Sequence, residues 1–551
     1  MRATAIFAAM LAIALVCPAV RAEEGPPATE TKVAEPETKA TESGTDKPKP
    51  EFDWREFSKK TPPPKQYVDG DLWTRSTLSG DWGGLRNDLA KKGFTLDYSF
   101  NQTLQGNLGG GKKFRWPSEG SEDINMLFDT GKMGLYPGGF LKIHAENRFG
   151  NSVNGDTGAI MPVNTDSLYP VPDEDRMMLS EVTYVQMLSP QFGVIMGKIQ
   201  PRESNIFSSN ENTQFMNMAF FCDPVVATTV PLDCLAAGVV VMPTDWLTVT
   251  ALVLDSEGQS NTSGFDTAFE RGVTVMNNWT FTIKPFDQVG HQRFTWAWSD
   301  RTRVQFEQDL QPDFQRPDLR SRFQNRIQNL DLRGLLPHPE ILDQIPPALL
   351  PELREHILDL LGNSKVRDRI LATLEPVLRQ RLLAQLETLK PLLKQLAKDY
   401  ARIQIANFLE GLPGKIQHQS NDWAASYDFD QYLYTVKDHP DRGFGVFGRF
   451  GFGDGQVNPI QNFYSFGVSG KGLASCRPND SFGVGYYYLG LSGHLPEFVQ
   501  TRAGDEKGVE MYYNIAVTPW MHITPDLQVI DPGSLGIGTT TVFGIRMMIN
   551  F

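Results

Sequence analysis

The feature that most restricts this chain is an alternation of apolar and polar side chains with a period of two, which recurs from residue 93 to the last residue. In FLKIHAENRF (140–149), one set of positions is apolar, namely Leu141, Ile143, Ala145 and Phe149, and the set between them is Lys142, His144, Glu146 and Arg148. Successive side chains of a strand point to opposite faces. The pattern therefore predicts strands with one apolar face and one polar face.

A soluble antiparallel sheet with one solvated face would give the same alternation. Two observations favour a membrane barrel instead. Aromatic residues recur at the apolar positions, as at Trp423, Tyr427 and Phe429, and the last segment, TVFGIRMMINF, ends on Phe551. A terminal apolar strand that ends on Phe is typical of outer-membrane barrels, so we expect the barrel assembly machinery of the outer membrane to be a partner through Phe551.

Composition excludes two classes of protein. The 551 residues include 52 Lys and Arg against 65 Asp and Glu, a net charge of −13, and 40% are hydrophobic. No stretch after residue 22 approaches the roughly 20 consecutive apolar residues of a membrane-spanning helix. A helical membrane bundle is excluded, and an acidic chain of this kind is not expected to bind nucleic acid.

The first 70 residues are not expected to belong to the barrel. Residues 1–22 have a basic residue, an apolar run and a small-residue end at Ala22, which is typical of a signal peptide for export. Residues 23–70 are rich in Pro, Glu, Thr and Lys and predict a disordered periplasmic tether. An exported protein can form disulfides, so Cys222 and Cys234 could pin a loop as a pair.

The alternation predicts 16 antiparallel strands, so the expected fold is an all-β, 16-stranded transmembrane barrel. The predicted strands are 93–106, 124–135, 139–150, 179–188, 191–200, 234–242, 245–255, 271–284, 291–303, 422–434, 443–453, 463–471, 481–491, 508–518, 520–530 and 541–551. Short and long connections alternate, as expected when short turns face the periplasm and long loops face outside. A barrel of this size is wide enough for an aqueous channel.

One long segment departs from this pattern and divides the barrel into a first part, 71–303, and a second part, 422–551. Between them, residues 304–421 have apolar residues at a period of 3.6, with charged residues between them, which predicts an amphipathic helical insertion. The strand count places it in an extracellular loop. It could be a lid, a docking surface or an oligomerisation module, or a tolerated insertion with a small core of its own.

Several segments together resemble the carbohydrate-selective porins of the OprB family. They are GDWGGLRNDLAKKGFTLDYSFNQTLQGNLGGG (80–111), GKIQPRESNIFSSNENTQFMN (197–217), WAASYDFDQYLY (423–434), RGFGVFGRFGFGDGQVNPI (442–460), SFGVGYYYLGLS (481–492) and TPWMHITPDLQVIDPG (518–533). The resemblance covers most of 78–303 and 422–551, with the motifs in the family's order. It implies a 16-stranded outer-membrane channel through which sugars diffuse passively.

A sugar-selective constriction needs polar groups that replace the hydration of sugar hydroxyls. The candidates on predicted polar faces and in the loop after Lys198 are Lys142, Glu146, Arg148, Arg202, Glu203, Arg449 and Arg546. Each could instead be solvated or paired within the wall. Phe207, Phe215 and Phe220 could offer stacking faces to sugar rings, but we interpret them as anchors of a loop against the inner wall.

The sequence gives weak catalytic signals, so we expect no enzyme, no cofactor and no metal. The leading hypothesis is a sugar-permeable outer-membrane porin whose partners are sugars as permeating solutes and outer-membrane lipid. A barrel-anchored surface adhesion or receptor protein that uses residues 304–421, and a general or anion-selective porin, are the alternatives. A homo-oligomer is possible.

Overall fold

The computed structural model describes residues 65–167, 177–201, 204–258, 260, 262–306 and 418–551. Sixteen strands form a closed antiparallel barrel in which the first strand pairs with the last, so the predicted fold class is confirmed. The strands are β1 (Phe94–Gly109), β2 (Ser118–Asp129), β3 (Gly139–Gly150), β4 (Met178–Ser189), β5 (Phe192–Ile199), β6 (Cys234–Thr244), β7 (Leu247–Asp255), β8 (Val273–Ile283), β9 (Gly290–Ser299), β10 (Asp422–Val436), β11 (His439–Gly453), β12 (Ile460–Lys471), β13 (Ser481–Leu491), β14 (Glu506–Thr518), β15 (Met521–Asp531) and β16 (Thr540–Asn550).

Short elements accompany the barrel. The helices are α1 (Leu85–Lys91), α2 (Asn154–Thr157), α3 (Met218–Phe221), α4 (Pro224–Thr229) and α5 (Glu497–Gln500), with 3-10 turns at Thr165–Ser167 and Pro285–Asp287. Arg303–Val304 pairs with His418–Gln419 in a separate two-stranded ribbon between β9 and β10. Among the described residues, no helix has the length and apolar content needed to cross a membrane.

The second strand differs most from its prediction, since it occupies 118–129 rather than 124–135. The alternation continues past residue 129, but the chain turns there. The Asp129 carboxylate accepts a hydrogen bond from the backbone of Lys132, and the Thr130 hydroxyl donates to the carbonyl of Tyr136 at 2.6 Å. These side-chain contacts stabilise a turn and stop the strand before its apolar pattern ends.

The two faces of the wall differ as the alternation predicts. On the outside, the rings of Phe94 and Phe128 lie 4.9 Å apart and Ile545 is 44% exposed. On the inside, Asn101 and Arg546 are at most 1% exposed. Lipid cannot hydrogen-bond to the backbone, so the sheet has to close and to turn apolar side chains outward.

The connections divide into two classes, one at each end of the barrel. One end has only short connections, 130–138, 190–191, 245–246, 284–289, 437–438, 472–480 and 519–520. The other end has the longer ones, among them 151–177, 200–233 and the span from β9 to β10. We call these the short-turn end and the long-loop end. In outer-membrane barrels the short turns face the periplasm.

The residues before β1 are attached to the short-turn end. The Tyr67 hydroxyl donates to Asp97 at 3.0 Å, and the buried Arg86 guanidinium lies over the Tyr67 ring and donates to the carbonyl of Leu96 at 2.7 Å. Burial raises the pKa of Tyr67 to about 12, with a further increase from Asp97. The backbone N–H of Leu78 donates to the carbonyl of Asn550. The chain is therefore already fixed to the barrel before residue 70, where the predicted tether was to end.

Several predictions concern residues outside the described ranges. The signal peptide (1–22), the tether up to residue 64 and residues 307–417 of the helical insertion are among them. The suggested pairing of Cys222 with Cys234 is wrong, because both residues carry thiols.

The outward position of Ile545 yields a stability prediction. Ile545→Lys should lower the free energy of unfolding in lipid by about 2–4 kcal/mol, because a cation would lie near the middle of the apolar band. Urea unfolding in liposomes measures this loss. Val517→Lys, also on the outer face but next to a strand end, is the control and should cost about 0–1 kcal/mol. Equal costs at the two positions would contradict the placement of the membrane.

Candidate functional site

Two connections of the long-loop end fold into the barrel rather than away from it. We call residues 151–167 the first inward segment and residues 204–233 the second inward segment. They are joined to each other, since the backbone of Thr165 donates to the carbonyl of Met216 at 2.8 Å and that of Met218 to Pro162 at 3.0 Å. These two loop segments therefore narrow the lumen.

Two glutamates of β14 hold these segments. Glu506 accepts hydrogen bonds from the backbone N–H groups of Ile160 and Met161, the second at 2.9 Å. Glu510, four residues further along the same inner face, accepts from the backbone N–H groups of Met216 and Asn217. Each carboxylate satisfies two consecutive donors that would otherwise be unpaired inside the barrel.

The second inward segment also contacts the wall at mid-depth. Arg546, in the middle of β16, donates to the carbonyls of Glu211 and Gln214, the latter at 2.7 Å. On the neighbouring strand β1, Asn101 donates to the side chain of Asn212 at 2.7 Å. The segment therefore crosses the lumen rather than lying at its rim.

Aromatic side chains pack this segment against β11–β13. Phe207, Phe215 and Phe220 are all buried, and the rings of Phe215 and Phe220 stack at 4.4 Å. The wall opposite them carries glycine: a Cβ on Gly485 would lie 2.4 Å from the Phe220 ring. The interpretation of these three residues as anchors of a loop agrees with this geometry, and a small apolar core lies inside part of the barrel.

An ion-pair cluster surrounds Arg148 on β3. Its guanidinium contacts Glu146 at 2.9 Å, Asp123 at 3.3 Å and, from the first inward segment, Asp166 at 3.6 Å. Burial raises the pKa of Asp166 to about 6, although Arg148 acts in the opposite direction. His144 contacts Asp123 at 3.1 Å.

Three members of this cluster have ligand atoms close enough to bind a metal. One atom each of Asp123, His144 and Glu146 lies within 4.8 Å of the others. Both carboxylates already contact the Arg148 guanidinium, whose charge opposes that of a cation. The cluster acts in this structure as an ion-pair network that joins β2, β3 and the first inward segment.

A second cluster lies on β9–β11. Arg293 bonds to Asp428 and, at 2.6 Å, to Asp430, and it donates to the backbone carbonyl of Ser204 at 2.8 Å. Arg449 contacts Asp428 at 3.5 Å. Buried charges of this kind need partners, and here they fix the start of the second inward segment.

The predicted site residues therefore fall into three groups. Glu146, Arg148, Arg449 and Arg546 are buried and hold the inner wall and the segments together. Lys142 is 48% exposed and contacts Glu181 at 2.6 Å. Arg202 and Glu203 lie outside the described residues. Arg148 and Arg546 both interact electrostatically with Asp166 of the first inward segment, whereas Arg449 contacts Asp428 of the second cluster.

Sequence reasoning missed Glu506, Glu510, Arg293 and Asp166. The first three occupy polar positions of alternating strands, so the period of two could have nominated them as inward-facing. Asp166 lies in a loop without periodicity, and its sequence carries no comparable signal. Alternation within a strand does not predict which loop residue a wall side chain contacts, because that contact joins residues far apart in the sequence.

Part of the inner wall is not covered by the inward segments. Partly exposed polar side chains line it on β2, β3 and β7–β9 towards the short-turn end. They are Asn125, Lys142, Thr250, Asn278, Thr280 and Thr295. Asn278 donates to the Thr295 hydroxyl at 2.8 Å and accepts from the Thr280 hydroxyl at 3.0 Å. We call this set the open wall.

Comparison with known proteins identifies similar chains. The sequence model described as "Carbohydrate-selective porin, OprB family" matches residues 119–551. Porin B of Pseudomonas aeruginosa is 26% identical over 129 residues, 20% of this chain and 28% of Porin B. Porin AaxA of Chlamydia muridarum is 32% identical over 83 residues, 15% of this chain and 18% of that porin. The matched stretches thus span less than a third of these curated relatives.

One solved structure shares its fold with most of this chain. The high-pH structure of Pseudomonas putida OprB superimposes with a TM-score of 0.62 at 16% identity. The superposition covers 88% of this chain and 100% of the other. At this identity the likeness concerns the fold of the barrel.

The role of Glu510 can be tested directly. Glu510→Ala leaves the backbone donors of Met216 and Asn217 without their acceptor, at a cost of about 1–3 kcal/mol each if they stay buried. The second inward segment should loosen, and open-channel current noise in planar bilayers should rise. Glu510→Gln keeps one acceptor oxygen, so its current noise should lie between that of the native channel and that of Glu510→Ala. Noise equal to that of the native channel in both variants would contradict the holding role.

The close packing of Phe220 against Gly485 leads to a second test. Gly485→Ala places a Cβ against the ring and should displace the second inward segment, with a measurable change in single-channel conductance. Gly538→Ala is the control, because a Cβ there meets nothing within 4 Å. Unchanged conductance in Gly485→Ala would mean that the segment does not set the width of the lumen.

Proposed function

Since the chain belongs to the carbohydrate-selective porins of the OprB family, we propose that it lets sugars diffuse passively across the outer membrane through the lumen of its barrel. Membership of this family makes it an outer-membrane protein of the Gram-negative type, with the fold of a channel. The observation that carries the proposal is the combination of a lumen narrowed by two inward segments with an open wall of partly exposed hydroxyl, amide and ammonium groups.

The open wall has the chemistry that a neutral polyol needs. Threonine hydroxyls both donate and accept hydrogen bonds, amides offer one of each kind, and Lys142 donates. Sugar hydroxyls that lose water in a narrow lumen can exchange it for these groups. Lys142 and Glu181 form a charged pair at the edge of the open wall.

The buried charged residues have a different role in the proposal. Glu146, Arg148, Arg449 and Arg546 fix the inward segments and so set the width of the constriction. Arg202 and Glu203, at the start of the second inward segment in sequence, are proposed to contribute to the same constriction.

The lumen is also proposed to favour cations over anions. Carboxylates outnumber cationic side chains on the inner face of the described strands. The carboxylates are Asp97, Glu119, Asp123, Asp129, Glu146, Glu181, Asp422, Asp428, Asp430, Glu506, Glu510 and Asp526, and the cations are Lys142, Arg148, Arg293, Arg449, Lys471 and Arg546. A lumen lined by one excess sign of charge concentrates counter-ions. This arrangement disfavours the alternative of an anion-selective porin.

Assembly is proposed to depend on the C-terminus. Phe551 lies against Tyr98 at a ring distance of 5.0 Å, and its backbone N–H donates to the Tyr98 carbonyl at 2.9 Å. The terminal residue thus reaches the seam where β1 meets β16. Recognition of Phe551 by the barrel assembly machinery before that seam closes is consistent with this position.

Single-channel recording tests the proposal. Added sugar should reduce the ion current through the native channel in a concentration-dependent way. Lys142→Ala should weaken this sugar block and raise the preference for K⁺ over Cl⁻, because it removes an exposed donor and an exposed positive charge. Lys507→Ala, on the outer rim, is the matched control. A channel that conducts but shows no sugar block would point to a general porin, and a closed barrel would remove the channel function.

A further inference from the structure

The connection between β1 and β2 combines cations with aromatic rings at the long-loop end. Its sequence from residue 110 to residue 117 is GGKKFRWP, which contains no acidic residue. All five side chains from Lys112 to Trp116 are exposed. We call residues 112–116 the basic rim segment.

Contacts with the first inward segment fix the backbone of the basic rim segment. The backbone N–H groups of Lys112 and Lys113 donate to the carbonyl of Asp156 at 2.7 and 3.1 Å, and the Asn107 amide donates to the carbonyl of Lys113 at 2.8 Å. The Arg115 guanidinium pairs with the buried Asp156 carboxylate at 2.6 Å. One of the three cations thus holds the segment, and the two lysines are presented at the rim.

The end of the segment lies against the outer face of the barrel. The rings of Trp116 and Phe543 meet edge to face at 6.5 Å. Gly106 of β1 is directly opposite Phe543 of β16, and both share the outward face with Ile545. A Cβ on Gly106 would lie 2.7 Å from the Trp116 ring, so the missing side chain leaves room for the indole. The segment therefore passes from the rim to the lipid side of the wall.

The strand register gives the depth of Trp116. Gly106 lies twelve positions along β1 from Phe94, where the strand begins at the short-turn end. Twelve positions of strand are about 40 Å long and, with the usual tilt, about 30 Å in height. The apolar band of an outer-membrane barrel is about 25 Å tall. Trp116 therefore lies at the outer edge of this band, where the lipid headgroups begin and where tryptophan is enriched.

The two lysines bring uncompensated positive charge to the same edge. Neither Lys112 nor Lys113 forms an ion pair with another residue that the structure describes. The neighbouring Phe114 side chain is 69% exposed. Ammonium groups beside exposed aromatic rings at headgroup depth form a surface with a charged part and an apolar part.

We propose that the basic rim segment binds a phosphorylated lipid of the outer leaflet, with Lys112 and Lys113 on the headgroup phosphate and Phe114 and Trp116 against the acyl chains. Lysine near an anionic membrane surface is attracted to it, and an aromatic ring anchors its residue at the edge of the hydrocarbon. The position of Trp116 selects a lipid rather than a soluble anion, because a free phosphate gains nothing from a ring that faces the membrane.

Native mass spectrometry of the full chain in a mild detergent, with added lipid A as a phosphorylated glycolipid, tests the proposal. The native protein should retain one lipid A molecule. The double variant Lys112→Gln/Lys113→Gln should bind it about 30-fold more weakly, because each lysine near an anionic headgroup contributes about a factor of five in affinity. Inorganic phosphate, as a second probe, should not displace the bound lipid.

The matched control is Lys91→Gln/Lys92→Gln, which removes two adjacent exposed lysines at the short-turn end and should bind lipid A as the native protein does. Heat-modified migration on a gel verifies that each barrel is folded, and single-channel recording verifies that sugar block is unchanged in both double variants. Equal lipid A binding by the native protein and Lys112→Gln/Lys113→Gln overturns the proposal. So does an equal loss in both double variants, or a native protein that retains no lipid A. A change in ion selectivity of Lys112→Gln/Lys113→Gln without loss of lipid A also overturns it, and assigns the two lysines to the channel mouth.

Discussion

The structure depends on one constraint, which is that hydrocarbon offers no hydrogen-bond partner to a peptide group. A sheet in lipid has to close. Once it is closed, each strand has one face towards the lipid and one face towards the aqueous lumen. All charged chemistry that the chain keeps within the bilayer is then directed inward. On β2, Glu122 departs from this rule and points outward.

A closed cylinder of 16 strands leaves more room inside than its own side chains fill. Two loops occupy this space. Their buried backbone groups need hydrogen-bond partners, as the polar side chains of the wall do. Glu506 and Glu510 meet consecutive N–H groups, while Arg546 meets carbonyls. The carboxylates of the wall thus accept hydrogen bonds from the segments, and the arginine of the wall donates to them. A buried ion pair adds little net stability by itself, but removing one partner is costly, so such a network favours one position of the loop over others.

The sequence predicts the wall far better than what the wall contains. Alternation is a local property that survives in a single strand, which is why Phe543, Ile545 and Arg546 can be assigned to faces without any knowledge of their neighbours. The end of β2 could not be predicted in this way, since it is set by the side-chain contacts of Asp129 and Thr130 with the turn. The contacts of Arg546 are harder still, because they join residues more than three hundred positions apart. The polar face of a strand indicates that a residue points inward, and it contains no information on whether water, a sugar or a loop lies there.

The distribution of charge inside the barrel separates two roles that a residue list would merge. Arg148, Arg449 and Arg546 have almost no accessible surface, so a solute cannot reach them without displacing a segment. Lys142 keeps nearly half of its surface free while still paired with Glu181. In the proposed function, a passing sugar exchanges water for a hydrogen bond to Lys142 with little rearrangement. The same sugar senses the buried arginines only through the width they impose and the field they share with neighbouring carboxylates. We therefore propose that selection by contact and selection by size reside in different residues of the same wall.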